Sequence, residues 1–205
     1  MSTNRMLRFL FKFLVCVLFA LGACFAYIAL RSGDPLYTAY EWMSPARFRQ
    51  YDKLIRSVSA QQRVDPMLVK ALIWRESRFD PKKQGTRSER GLMQVTEVAA
   101  NEWARERKID NFHPGDLFDP MTNLQAGTWY LRRALDHWRA QPDPLPFALA
   151  EYNAGASRVQ RWVGGNEAAP LARKEFLRRI DFPATRKYVE QIIARYQFYR
   201  RRGFM

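Results

Sequence analysis

The sequence predicts a mainly α-helical domain carried behind one N-terminal transmembrane helix, and three observations predict it. Phe13 to Leu30 is an uncharged apolar run. Beyond it, apolar residues recur at spacings of three and four behind Ser, Thr or Asp caps and first-turn prolines. No stretch alternates convincingly at period two, and no segment repeats. The chain has 205 residues, 47% hydrophobic, 26% charged and 14% aromatic, which excludes a disordered composition and allows a real core. The 174 residues after Arg31 suit one domain rather than two.

The elements follow in order. Leu7 to Leu30 supplies the roughly 20 residues an isolated helix needs to cross a bilayer, with Arg8 and Lys12 snorkelling toward the headgroups. Arg5, Arg8, Lys12 and the α-amino group precede the run while Arg31 alone follows closely, so the positive-inside bias leaves the first residues in the cytoplasm. Residues 1–31 therefore read as a cytoplasmic stub and inner-membrane anchor, 32–43 as a linker, and 44–205 as a domain facing the periplasm. A cleaved signal segment, with Ala20 and Gly22 at the small positions, is one alternative, and a lipid-attachment box at Leu21-Gly22-Ala23-Cys24 is another. Both leave Phe25 to Leu30 exposed at a mature N-terminus, and all three readings export the domain.

Ser44-Pro45 starts the first helix of the domain, with Phe48, Tyr51, Leu54, Ile55 and Val58 at helical spacing. Asp65-Pro66 starts a mostly buried second one, whose Leu68, Val69, Leu72 and Ile73 run up to Glu76-Ser77 before Asp80-Pro81. Lys82 to Gln94 has no helical period and reads as a long loop with a small hairpin. Thr96, Asp119-Pro120 and Thr185 read as caps of helices over roughly Glu97 to Arg107, Pro120 to Trp138 and Arg186 to Phe198. Two short helices, Phe147 to Tyr152 and Ala156 to Val163, flank Asn153-Ala154-Gly155. Trp74, Trp103, Trp129 and Trp138 occupy core-like positions.

Charge and motifs bound the function. The net charge is +14, and 30 basic against 20 acidic residues keep the part beyond Arg31 at +10. The partner is expected to be polyanionic; export makes nucleic acid a poor fit and an anionic envelope polymer a better one. Cys16 and Cys24 both lie in the apolar run, which excludes a disulfide, a Cys metal ligand and a thiol nucleophile from the domain. With only His113 and His137 present, no metal site is expected, and no cofactor. GxxxxGK[ST], GxGxxG and GxSxG motifs are absent.

Four local sequences then fall in one order: Glu76-Ser77, Gly91-Leu92-Met93-Gln94, Tyr152-Asn153-Ala154-Gly155 and Thr185-Arg186-Lys187-Tyr188-Val189. In these motifs, from about Tyr51 to Tyr196, the chain resembles the lytic transglycosylases with a goose-type-lysozyme-like domain. Asp65-Pro66 and the set Pro120, Asn123 and Gly127 are similar to that family too. The resemblance implies a lysozyme-like helical fold, peptidoglycan glycan strands as substrate, and cleavage between N-acetylmuramic acid and N-acetylglucosamine that leaves a 1,6-anhydro sugar. It further implies Glu76 as the single acid/base and Ser77 as the hydroxyl beside it. Gly91, Leu92, Met93 and Gln94 would form the floor of the sugar groove, and Tyr152, Asn153 and Tyr188 its lining.

The chemistry of Glu76 stands beside the resemblance. A glycosidic oxygen leaves readily only when protonated, so a carboxylic acid must keep its proton near neutral pH in a partly desolvated site. Glycosidases ordinarily need a second carboxylate; in an intramolecular reaction the sugar's own 6-hydroxyl takes that part, and one is enough. The chain departs from the family at Ser88-Glu89, where Gly-Ala is usual. Glu89 as a water-activating carboxylate makes a hydrolytic muramidase the alternative, although Thr96 stands where goose-type lysozymes place an aspartate. A wall-binding module without turnover is the alternative from another class.

Overall fold

A computed structural model describes residues 3–30, 34–167 and 169–203; the expected boundary at Arg31 and the first linker residues, 32–33, lie outside these. Two units are resolved, Met1–Pro45 and Ala46–Met205. No strand occurs among the described residues, and the architecture is mainly α, as the sequence predicts.

In the first unit α1 spans Thr3–Leu30 and is long and apolar enough over Arg5–Tyr27 to cross a membrane by length and composition. Most of the segment read as a linker is a second helix, α2 (Pro35–Met43). Its start is encoded by Asp34, whose carboxylate accepts from Tyr37 N at 3.1 Å, and by Pro35 in the first turn. Trp42 meets Phe25 of α1 edge-on, with ring centroids 5.0 Å apart.

The second unit is built around one helix that is apolar on every side. α5 (Pro66–Glu76) buries Leu68, Val69, Ala71, Leu72, Ile73 and Trp74, which only a central position satisfies. Asp65 caps it, accepting from Met67 N at 2.8 Å, and Tyr196 of the last helix donates to the same carboxylate at 2.6 Å. α5 packs against α4 (Asp52–Gln62) and most extensively against α11 (Pro183–Arg202). Its one buried cation, Lys70, pairs with Asp52 of α4 at 2.6 Å. The single helix expected from Ser44-Pro45 is broken at residues 50–51 into α3 (Pro45–Arg49) and α4.

α6 (Glu97–Glu106) and α7 (Pro120–His137) are capped by Thr96 and Asp119, as their sequences predict. α7 packs on α4, α6 and α8 (Pro144–Ala154), and α8 packs on α11. α9 (Ala156–Val163) and α10 (Arg173–Arg179) complete the unit. α10 carries one buried apolar residue, Phe176, stacked on Phe147 at 3.9 Å, too few to register a period in the sequence. The four tryptophans placed in the core are all buried. Thr185 is no cap: α11 begins two residues earlier at Pro183, and the Thr185 hydroxyl reaches across to α8. The hairpin expected in 82–94 reduces to two isolated antiparallel bridges, Gln84 with Arg90 and Arg90 with Val95.

Candidate active site

Glu76 is the last residue of α5, where the buried stripe gives way to loop. Its Oε1 accepts from the Tyr188 hydroxyl of α11 at 2.5 Å, and its backbone carbonyl accepts from Lys83 Nζ. Tyr188 is buried, with the Arg75 guanidinium over its ring at 5.3 Å. Arg75 is held in turn by Gln191, whose Oε1 accepts from Nε at 3.1 Å. Desolvation pushes the Glu76 carboxyl from its ordinary 4.5 up to about 7, against the Tyr188 hydrogen bond and the charges of Arg75 and Lys83. The end of a helix, the negative pole of its dipole, disfavours the carboxylate as well. Burial, with the Glu76 charge second, holds Tyr152 and Tyr188 well above their ordinary range, so both stay protonated donors.

The loop after α5 is fixed by its own strained geometry. Gln94 takes a left-handed backbone, φ 48°, and its side-chain amide donates to the carbonyls of Lys83 and Gly91, both at 3.0 Å. Gly91, φ 75°, leaves no room for a Cβ, which would run into Asn123 Nδ2 and the Leu117 carbonyl. Asn123 of α7 clamps the loop three ways. Its Oδ1 accepts from Met93 N at 2.8 Å, and its Nδ2 donates to the carbonyls of Arg90 at 2.7 Å and Leu117 at 2.8 Å. Gly127, one turn along α7, lets Met93 in; a Cβ there would meet its Sδ at 2.7 Å.

Two cavities of about 240 Å³ each share Arg87, Gln94, Thr96, Tyr152 and Asn153 as a common wall. One lies over Glu76 and Glu89, and the other runs to Tyr130 and Gly155. Of the residues expected in the groove, Glu76, Gln94, Tyr152 and Asn153 line it. Asn153 is oriented by Thr185, whose hydroxyl donates to its Oδ1 at 2.7 Å. Leu92, Met93 and Ser77 lie beneath the groove with side chains closed from solvent. Met93 instead offers its carbonyl, which accepts from Tyr152 OH at 2.9 Å, and the Ser77 hydroxyl turns back to the Ile73 carbonyl at 3.4 Å. Leu92 and Met93 thus fill the core under the loop, and Gly91 shapes the turn above it. Tyr188 stands behind Glu76.

Glu89 shares the first cavity. Burial pushes its carboxyl up, but backbone N–H groups, its own and that of Arg87, and the Arg87 guanidinium outweigh that and hold it below the ordinary range. Both of its oxygens are engaged, Oε2 by Arg87 N at 2.8 Å and Oε1 by Arg87 Nε at 3.1 Å. The cleft therefore holds two carboxyl groups driven apart, Glu76 titrating at about 7 and Glu89 ionised. Arg75, Lys83, Arg87 and Tyr130 carry no motif; only the edge-on contact of Tyr130 with Tyr152, 5.5 Å between centroids, and the contacts above reveal them.

Residues 53–173 match the family described as the transglycosylase SLT domain. The soluble lytic murein transglycosylase of Escherichia coli K12 is 30% identical over 151 residues, 73% of this chain and 23% of that protein. Membrane-bound lytic murein transglycosylase F of Desulfosudis oleivorans is 30% identical over 173 residues, 73% of this chain and 36% of its own. The crystal structure of the 70 kDa soluble lytic transglycosylase from Escherichia coli is similar in fold, with a TM-score of 0.67 at 30% identity over 75% of this chain and 24% of that one. Its complex with bulgecin A gives a TM-score of 0.70 at 28% identity, covering 81% of this chain and 26% of that chain. The chain thus spans about a quarter of the length of the first of these relatives.

Proposed function

This chain belongs to the transglycosylase SLT domain family, and from that premise we propose that it is a lytic transglycosylase. Its substrate is the glycan strand of peptidoglycan, cut at the β-1,4 bond between N-acetylmuramic acid and N-acetylglucosamine with formation of 1,6-anhydro ends. The observation that carries the proposal is the Glu76 carboxyl, held at the floor of a groove by Tyr188 at 2.5 Å and raised by desolvation to about 7.

The steps follow from that geometry. Glu76 donates its proton to the glycosidic oxygen as the bond to the anomeric carbon breaks, and the sugar carries the developing positive charge. Glu76, now a carboxylate, takes the proton of the sugar's 6-hydroxyl as that oxygen bonds the anomeric carbon. The proton has crossed from one oxygen to another and no water is consumed. Because the 6-hydroxyl is tethered, it competes with water at an effective molarity of up to about 10⁵ M or more. Tyr188 orients Glu76, Tyr152 and Asn153 bound the sugar's space, and Gln94 fixes the loop beneath it.

The second reading is a hydrolytic muramidase, favoured by Glu89, an ionised carboxylate over the same cavity. The engagement of both its oxygens by Arg87 supports the first reading over the second. For location, α1 supports a single-pass inner-membrane anchor, and the basic residues before it support a domain facing the periplasm.

The test is digestion of purified peptidoglycan by the full chain, borohydride reduction and mass spectrometry of the ends, with Glu76→Gln as control. Anhydro ends that resist reduction are expected. Reducible ends would establish hydrolysis instead, products that persist in Glu76→Gln would overturn the assignment of Glu76, and no products at all would leave a wall-binding module.

A further inference from the structure

The second helix of the first unit is built inside out. α2 exposes Leu36 at 86%, Met43 at 81% and Tyr40 at 45%, while Thr38 and Glu41 are buried. At about 100° per residue, Leu36, Tyr40 and Met43 fall within an arc of about 60° and Thr38 and Glu41 on the opposite side. In water this arrangement loses on its outward face, where two large apolar side chains stand in solvent.

The position of α2 supplies the missing environment. Trp42 on its inner side packs on Phe25, which lies within the apolar stretch Arg5–Tyr27 of α1. Five residue steps separate Leu30 from Pro35, a reach of at most about 18 Å. The outward face of α2 therefore stands level with the last turns of α1. Its nine residues also include Tyr37, Tyr40 and Trp42, the aromatic types that settle at the headgroup boundary.

We propose that α2 is an interfacial helix, lying along the headgroup–acyl boundary of the leaflet reached by the C-terminal end of α1, with Leu36, Tyr40 and Met43 immersed in lipid. The inference rests on α1 spanning the membrane, as proposed above. The occupant is lipid rather than a second copy of the chain because α2 packs, through Trp42 on Phe25, against a helix whose described side chains over Arg5–Tyr27 are themselves exposed.

The test uses the full chain in vesicles of phosphatidylethanolamine and phosphatidylglycerol, with Cys16→Ser and Cys24→Ser as background. An environment-sensitive fluorophore is placed at one site at a time through Met43→Cys, Leu18→Cys or Lys174→Cys. Lipids carrying a nitroxide near the headgroup or deep in the chain serve as quenchers. The expected result is a blue-shifted probe at position 43, quenched several-fold more by the shallow nitroxide than the probe at 174, and a probe at 18 quenched by the deep one. Deep quenching at 18 with a water-like spectrum at 43 overturns the interfacial helix and leaves the anchor standing. A probe at 43 that is shielded from water but untouched by either nitroxide points to a protein partner and also overturns it. Absence of quenching at 18 removes the spanning helix, and the inference with it.

Discussion

On the proposed mechanism a single carboxyl governs both rate and stability, and the two respond to pH in the same direction. Glu76 must be protonated to act as an acid, so kcat/KM is expected to fall as pH rises through about 7. Its pKa is raised relative to the unfolded chain, so its contribution to stability is full below its ordinary 4.5 and is lost as pH rises through about 7. Glu76→Gln keeps the shape and removes the charge. It should reduce turnover about 10²–10⁴-fold while raising stability at pH 8 by about 1–2 kcal/mol, a figure discounted for the water its cavity admits; anhydro-product assays and thermal melts at pH 5 and pH 8 check both. Tyr188→Phe takes away a hydrogen bond that favours the ionised form, so the basic limb of the pH profile should move above its original position as kcat falls. An unmoved limb would reduce Tyr188 to packing.

Among the elements, legibility followed local signals. α6 and α7 were readable because an Asp or Thr cap precedes each, and α9 because apolar Val159, Trp162 and Val163 share one face. α10 was not, with one buried apolar residue, nor was the true start of α11, whose Phe182 cap position makes no side-chain hydrogen bond. Within the candidate site, the four motifs were visible in sequence, but the fate of Leu92 and Met93 was not, because whether a loop's apolar residues face sugar or core is decided by α7. Arg75 and Lys83 act through a ring face and a backbone carbonyl, which leave no residue pattern at all. The element that holds the loop is Asn123. Asn123→Ala removes three hydrogen bonds and leaves a buried Met93 N–H without its acceptor, for an expected loss of about 2–4 kcal/mol. A shift of the urea midpoint at unchanged m-value measures it.

For the molecule as a whole, charge sets the encounter. A net +10 beyond Arg31, facing a proposed substrate that is an anionic wall, predicts binding that weakens as salt shortens the screening length from about 10 Å at 0.1 M to about 3 Å at 1 M. Co-sedimentation with peptidoglycan across that range should show the loss, with kcat at saturating substrate changing far less; a salt-independent affinity would assign recognition to the groove alone.

The hydrogen bond from Tyr188 to Glu76 joins residues 112 positions apart, and α11, which carries Tyr188, also brings Thr185 to Asn153. A chain synthesised from its N-terminus presents Glu76 long before either Tyr188 or Thr185 has been made. Until α11 docks along α5, that carboxyl stands in water, ionised at neutral pH as any solvated glutamate is, with no proton to give. On the proposed mechanism the docking of α11 on α5 readies the acid, and activity waits on the segment that carries Tyr188 and Thr185.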